Sequence, residues 1–394
     1  MRFLILNLWS LKNVKSVEKH NYFNKIRVLD MHKNFTSLSL VAITLLTNTL
    51  APSTSHAAVV KKLAPATFSF ALWGDMPYAK NGDNTTATSS TETPLTRLIK
   101  SINASKVSFS IFDGDTKDGS SFCTDTTLAD DAKKVFNSLT MPTVYVLGDN
   151  EWTDCHRINN NNYNSLERLD FLRKNMFNTN LSFGAKPLTL TRQGAPSAIY
   201  SENSRWAKGN VVFVTLNIPG SNNNKVNPAD CISTKSKRTQ ADCDADNAEY
   251  VARDKANIDF MKESFQTAKD GAAAGIMIVI QGDPVFDFPE TETVDERATA
   301  LPTLAPHDGY DNFIAALLAE TKAFTGQVVL VHGDSHFYKI DKPMMLQSIK
   351  REDMVKNFTR VETFGSPSNH WIKVTVTPSN ANVFTFEPVI VTGN

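Results

Sequence analysis

An α/β fold is predicted by three observations. Short runs rich in apolar, β-branched and aromatic residues recur at 68–73, 107–112, 143–147, 211–217, 276–280 and 327–331, and they read as buried strands. Segments with helical spacing of apolar residues lie between many of them, which is βαβ logic and requires parallel strands. Several of these runs end in a turn carrying glycine and acidic residues, and ligands of open α/β folds bind outside the strand C-termini.

In chain order, residues 1–30 carry mixed charges and aromatics with no targeting logic, and they read as an upstream extension, with Met31 the expected true start. Met31-His32-Lys33 precedes an uncharged apolar stretch at 38–50 and the small-residue cleavage pattern Ser55-His56-Ala57-Ala58, so 1–57 ends in a secretory signal peptide. The apolar stretch is shorter than the roughly 20 residues a spanning helix needs, so no stable membrane insertion is expected. Cleavage after Ala57 leaves 337 residues, 58–394, read as one domain exported to the periplasm or beyond. That part holds 34 Lys/Arg against 39 Asp/Glu, a net charge of −5. Such a surface has no electrostatic footprint for nucleic acid or an anionic membrane, and a monomer acting on a small phosphorylated substrate is expected.

Residues 58–64 form a short leader, and the first strand, 68–73, runs into Trp73-Gly74-Asp75-Met76-Pro77-Tyr78. A polar loop at 81–93 leads to a helix at 95–102. Strand 107–112 ends in Asp113-Gly114-Asp115, a helix follows at 128–139, and strand 143–147 ends in Gly148-Asp149-Asn150-Glu151. The next helix, 166–177, has apolar residues at 166, 169, 172 and 176 and carries Glu167, Arg168, Arg173 and Lys174 on its exposed face. Residues 178–206 are irregular, a lid-like insertion or a hairpin. After strand 211–217 comes an Asn-rich loop, then a long helix at 248–269 and strand 276–280, ending in Gln281-Gly282-Asp283-Pro284. Helix 311–323 precedes strand 327–331, which enters His332-Gly333-Asp334-Ser335-His336. Strands at 360–364 and 371–377 flank a turn-rich loop holding Asn369 and His370, and 374–391 supplies the closing strands. His370 and His307 read as turn residues.

Five strand ends thus present oxygen or nitrogen donors. Carboxylates crowded into one crevice repel one another unless a cation sits among them. This order of motifs resembles the calcineurin-like metallophosphoesterases, a family that includes purple acid phosphatases and phosphodiesterases. The resemblance spans roughly residues 65–378 and implies a four-layer α/β/β/α sandwich of two mixed β-sheets with helices on both outer faces. The family carries Asp-x-His, Gly-Asp, Gly-Asn-His-Asp/Glu, a His before Pro, and Gly-His-x-His. In this chain Asp75, Asp115, Glu151 and His336 match in residue type. Pro77, Asn150, Gln281 or Asp283, and Asp334 stand where the family has histidines, and Asp149 stands for its asparagine.

The resemblance implies one or two divalent cations held by Asp75, Asp115, Asp149, Asp334 and His336, with Gln281 or Asp283. Exchange of imidazoles for oxygen donors favours Mg²⁺, Mn²⁺ or Ca²⁺ over Fe or Zn. The chemistry implied is hydrolysis of a phosphomonoester or phosphodiester by a metal-activated water. Asn150 would hold the phosphate by hydrogen bonds, but its amide cannot act as a general acid. His156 reads either as a displaced proton donor or as a turn cap, and His332 as a second donor, an alternative ligand or a structural residue. Arg157 has the forked guanidinium that suits phosphate and is read as a substrate-binding residue, with pairing to a nearby carboxylate as the alternative. The loss of histidines also leaves open a metal- or phosphate-binding protein without turnover.

All four cysteines lie beyond the signal, and an even number in an exported chain implies two disulfides. Cys231 and Cys243 flank a polar segment without apolar periodicity, and Cys123 and Cys155 each follow an acidic motif at the same sheet end. The expected pairs are Cys123 with Cys155 and Cys231 with Cys243.

Overall fold

Trp73 and Phe112 meet edge to face with ring centroids 4.8 Å apart, at the ends of the two parallel strands from which the first acidic motifs depart. The computed structural model describes residues 65–85, 92–284, 308–344 and 353–394. The signal peptide with Met31, the leader at 58–64, His307 and residues 86–91 of the polar loop lie outside the described residues.

Twelve strands are described: β1 Phe68–Trp73, β2 Ser110–Phe112, β3 Thr143–Tyr145, β4 Thr191–Arg192, β5 Ser204–Lys208, β6 Val211–Thr215, β7 Gly275–Val279, β8 Gln327–His332, β9 Lys339–Asp341, β10 Phe358–Glu362, β11 Trp371–Val376 and β12 Phe384–Val389. They build a five-stranded sheet, β12-β11-β1-β2-β3, and a seven-stranded sheet, β4-β5-β6-β7-β8-β10-β9. Both sheets are mixed. β1, β2 and β3 run parallel, as do β6, β7, β8 and β10, and the outer strands pair antiparallel.

Alternation along the strands divides the core into layers. Phe70 and Leu72 of β1 face Phe213, Met277, Val279, Val329 and Val331 of the second sheet. Ala71 and Trp73, one residue out of phase, pack on the other face with Leu98, Ile102, Phe136, Leu169 and Leu172. Those side chains belong to helices α1 Pro94–Ala104, α2 Ala132–Asn137 and α3 Ser165–Met176. On the far side, Ile276, Ile278, Val328 and Leu330 pack against Phe260, Phe265, Phe313 and Leu317. These come from α4 Gln240–Asp270 and α5 Asp311–Lys322. Order α/β/β/α is therefore the architecture, with helices on both outer faces as expected.

Four features differ from the sequence reading. Arg168 and Arg173, expected on the exposed face of the 166–177 helix, are buried, Arg173 against Glu202. The helix expected from 248 begins at Gln240, because Thr239 and Asp242 form a capping box that starts it within a polar stretch. The helix expected over 128–139 opens with a π-helical turn, Thr126–Asp131, before α2. The irregular 178–206 segment is partly hairpin: β4 pairs with β5, and β5 turns into β6 through Gly209 and Asn210, both at positive φ (58° and 65°) as a two-residue hairpin requires.

Candidate metal centre

The motif turns all leave the strand C-termini at one edge of the two sheets. Gly148 and Gly333 admit the close approach there: a Cβ on either would stand 2.0 Å from Asp115 Oδ1 or Asp75 Oδ2. Asp75, Asp115, Asp334 and His336 all take the left-handed backbone region, with φ of 49°, 62°, 72° and 62°. Non-glycine residues hold that conformation only where surrounding structure fixes it, and such positions cluster at functional sites. The surrounding bonds are present. Asp75 N–H donates to the Gly114 carbonyl at 2.8 Å, and Ser366 N–H donates to the Asp75 carbonyl at 2.9 Å. Glu151 pins the second and third motifs together, accepting from Thr116 Oγ1 at 2.7 Å and Gly148 N–H at 2.8 Å.

Asp75, Asp115 and Asp149 are buried together, with half-buried Asp334 and His336 beside them. Asp334 N–H donates to Asp75 Oδ1 at 3.2 Å, and His336 Nε2 lies 3.6 Å from the same oxygen. No Lys or Arg among the described residues forms an ion pair with any of the four carboxylates. Burial, then the charges of Asp113 and Asp334, holds the Asp75 carboxyl well above the usual carboxylate range. Burial and then the Asp149 charge do the same at Asp115 and Asp334. Asp75 Oδ2 is buried without a hydrogen-bond partner. An orphaned buried oxygen among repelling carboxylates, with an imidazole alongside, is a set of donors that could hold a divalent cation. The residues present fit a metal.

The expected residues occupy the site unequally. Asn150 Nδ2 donates to Asp115 Oδ2 at 2.6 Å, which places it in the centre. The Gln281 amide is buried with its oxygen accepting from Gly220 N–H at 2.6 Å and its nitrogen donating to Asp334 Oδ1 at 3.3 Å. Asp283 stands further out and approaches Asp334 through its backbone N–H, 3.4 Å from Oδ2. Arg157 takes the carboxylate-pairing alternative: Nη1 lies 2.5 Å from Asp154 Oδ2, and Nη2 donates to Ser221 Oγ at 3.3 Å.

His156 sets Nδ1 2.9 Å from Ser236 Oγ, the turn-capping alternative, and burial with the charges of Arg238 and Arg157 pushes its pKa down to about 3. His332 is fully buried with Nδ1 3.1 Å from the Gly333 carbonyl, away from the carboxylate ring. With Asp283 and Glu362 it forms a set whose donor atoms all lie within 4.8 Å of one another. His370 and Asn369 serve structure, His370 Nδ1 accepting from Val391 N–H and Asn369 Nδ2 donating to Asp83 Oδ1 at 2.8 Å. Both expected disulfides are present, Cys123–Cys155 and Cys231–Cys243, each with Cα atoms 5.8 Å apart.

Sequence reasoning gave no role to three residues in the site. Tyr78 is buried, with its hydroxyl 3.0 Å from Asp115 Oδ2 and 3.4 Å from His336 Nε2. Ser221 Oγ lies 2.8 Å from both Asp149 Oδ2 and Asp154 Oδ1, and its single proton bridges to one of them at a time. It begins a run of four residues, Ser221 to Asn224, at φ between 50° and 60°, a left-handed turn. Fully buried Arg253 of α4 fastens that turn, reaching the Asn217 carbonyl at 2.8 Å and the Asn223 carbonyl at 2.9 Å. Lys117 is buried near Asp115 and Glu151, and burial lowers its pKa. Beside the ring opens a cavity of about 1280 Å³, walled by Arg157, Ser221, Lys225, Arg238, Asp283 and Asp334 among others.

No protein-family model and no curated protein matches this chain. Among solved structures it is similar to GAP50, the anchor in the inner membrane complex of Plasmodium, at 13% identity and a TM-score of 0.37, covering 83% of this chain and 90% of that one. It is also similar to the sulfate thiohydrolase SoxB of Thermus thermophilus, at 11% identity and a TM-score of 0.36, over 76% of this chain and 42% of that one. A 5'-nucleotidase from Candida albicans gives 11% identity and a TM-score of 0.36, over 81% of this chain and 50% of that one. Likenesses of this size assign no function, and the site is read from its own geometry.

Proposed function

We propose that this chain is an exported, metal-dependent phosphoester hydrolase acting on a small phosphorylated substrate. The observation that carries the reading is the ring of three buried carboxylates, half-buried Asp334 and His336, with no cationic side chain among the described residues in an ion pair with the carboxylates, at the strand ends beside a large cavity. Asp75, Asp115, Asp149, Asp334 and His336 would hold the ion. When bound, a divalent cation supplies Lewis acidity, making water more acidic and offsetting charge on a phosphoryl oxygen.

The chain's own groups do the rest. Asn150 holds Asp115 in place through its amide, and Ser221 does the same for Asp149. Arg157, on the cavity wall and only partly shielded, offers a guanidinium to an incoming phosphate while Asp154 fixes its direction. His156 is held neutral at ordinary pH and His332 is fully buried, so protonation of the leaving group falls to solvent. Export is supported by the two disulfides. No helix among the described residues is long and apolar enough to cross a membrane.

One observation favours a second reading, binding without turnover: the family's leaving-group histidine is here Asn150, whose amide is already engaged with Asp115. The test is hydrolysis of an aryl phosphate monoester and diester after chelation and separate resupply of Mg²⁺, Ca²⁺, Mn²⁺, Fe²⁺ or Zn²⁺, beside Asp115→Asn. Metal-restored turnover that the variant lacks is expected. Equal background from both proteins, with metal still bound, would establish the second reading.

A further inference from the structure

The ends of three neighbouring strands bring Asp283, His332 and Glu362 together on the outer face of the seven-stranded sheet. His332 and Glu362 are the last residues of parallel strands β8 and β10 and are partners in register, so their side chains leave the sheet side by side. Alternation decides the face. Val329, Val331 and Val361 point into the space between the sheets, whereas Val328, Leu330 and Phe358 pack against the outer helices, and His332 and Glu362 are in phase with the second set. Asp283 joins them from the turn after β7, the strand on the other side of β8.

The imidazole and two carboxylate donors of this set lie within 4.8 Å of one another. Bonds of about 2.1 Å hold the donors of one ion roughly 3.4 Å apart in a tetrahedron, so shifts of under about 1 Å per side chain close them around a cation. The hydrogen bonds behind the donors are those of a ligand set. His332 Nδ1 lies 3.1 Å from the Gly333 carbonyl, which can only accept, so Nδ1 carries the proton and Nε2 is the ligand atom presented to the carboxylates. Glu362 Oε1 accepts from Phe337 N–H at 2.8 Å and from the Ser335 hydroxyl, which fix its direction, and Ser335 Oγ stands 3.2 Å from Asp283 Oδ2. His332 is fully buried, while Asp283 and Ser335 line the large cavity, which gives an ion its way in.

We infer that Asp283, His332 and Glu362 form a second cation site, separate from the carboxylate ring and taking Zn²⁺ or Mn²⁺. A mixed set of one nitrogen and two carboxylates suits these ions better than Ca²⁺ or Mg²⁺. An ion there ties together the turns after β7, β8 and β10 and braces the one that carries Asp334. The assignment does not depend on phosphoester chemistry or on turnover.

The experiment is calorimetric titration of Zn²⁺ into the chelator-stripped native protein, Asp115→Asn, Glu362→Gln and the double variant. Native protein should take up about two equivalents and each single variant about one, the sites being filled independently. In the double variant the affinity kept by Asp115→Asn should fall by more than about 100-fold, since loss of an outer partner alone costs 10- to 100-fold. The melting temperature of the metal-free protein controls for folding, and Asp283→Asn, at a half-exposed position, takes the place of Glu362→Gln if that variant does not fold. A single native equivalent that Asp115→Asn keeps and Glu362→Gln loses would support the second site and overturn the carboxylate ring as a metal centre. A single native equivalent that Asp115→Asn loses, two equivalents in Glu362→Gln, or no binding at all overturns the second site.

Discussion

Asn150 grips Asp115 at both carboxylate oxygens, its side-chain nitrogen donating to Oδ2 at 2.6 Å and its backbone N–H to Oδ1 at 3.1 Å. The side-chain bond orients a carboxylate that would face the proposed ion. Asn150→Leu removes it and leaves the backbone bond. Outer-sphere donors of this kind are worth about 10- to 100-fold in metal affinity. Calorimetric titration of the variant with Mn²⁺ should show a loss in that range, and an unchanged affinity would show that the amide only fills space.

Asp115→Asn should stabilise the metal-free protein while removing its response to metal. The native carboxylate is buried among Asp149, Glu151 and Asp75, whose charges disfavour its ionised form. Neutralising it relieves repulsion on the order of 1 kcal/mol, a rise of about 2–4 °C in melting temperature. Thermal melts with chelator and with Mn²⁺ should cross over: the variant melts higher without metal, the native protein higher with it.

Three buried carboxyls should make the metal-free protein less stable as pH rises, against the opposing pull of His156, whose pKa is pushed down to about 3. Burial raises Asp113 and Glu362 to about 7, and burial with the Asp149 charge raises Asp154 to about 7. A carboxyl with a raised folded-state pKa binds its proton more tightly when folded. Its contribution is fully present below the unfolded value near 4 and is lost as pH rises through 7. Chelator-treated protein should lose stability between about pH 4 and 7, and melts over that range would refute this if stability rose instead. Saturating Mn²⁺ should flatten the decline.

The two disulfides should differ in what they protect. Cys123–Cys155 closes a longer loop than Cys231–Cys243, with sequence separations of 32 and 12, and both its sulfurs lie within 3.7 Å of the Asn150 carbonyl. Loop-closure entropy puts each at roughly 3–4 kcal/mol. Replacing Cys123 and Cys155 by Ala should lower both melting temperature and Mn²⁺ affinity. The same change at Cys231 and Cys243, which tie down the cavity wall, should lower melting temperature and leave Mn²⁺ affinity within about twofold. Equal losses of affinity in both would refute the distinction.

Much of this was legible in the sequence, because a strand buried on both faces is written as an unbroken apolar run. β7 and β8 fall within one residue of their expected bounds for that reason. The first eight residues of α4 were hidden because QADCDADN has no apolar period; a capping box, not packing, begins that helix. In the site, Asp75, Asp115, Asp149 and Asp334 were visible because each stands beside a glycine at a strand end. Tyr78 was not, since an aromatic residue just beyond a buried strand reads as core. Ser221 was hidden by the left-handed turn, which an Asn-rich stretch permits but does not announce. Whether Arg157 meets phosphate or Asp154 is a matter of a few ångströms between distant turns, and composition cannot measure it.

The left-handed backbone of Asp75, Asp115, Asp334 and His336 shapes how deep mutational scanning of this chain would look. Nearly every replacement there is penalised by the main chain before any ligand is lost, and β-branched residues most of all. Intolerance at these four positions would therefore carry no information about chemistry. Asparagine shares aspartate's shape and its ease in this conformation, so at the three aspartates the Asp-to-Asn column alone separates a charge that binds from a turn that merely folds.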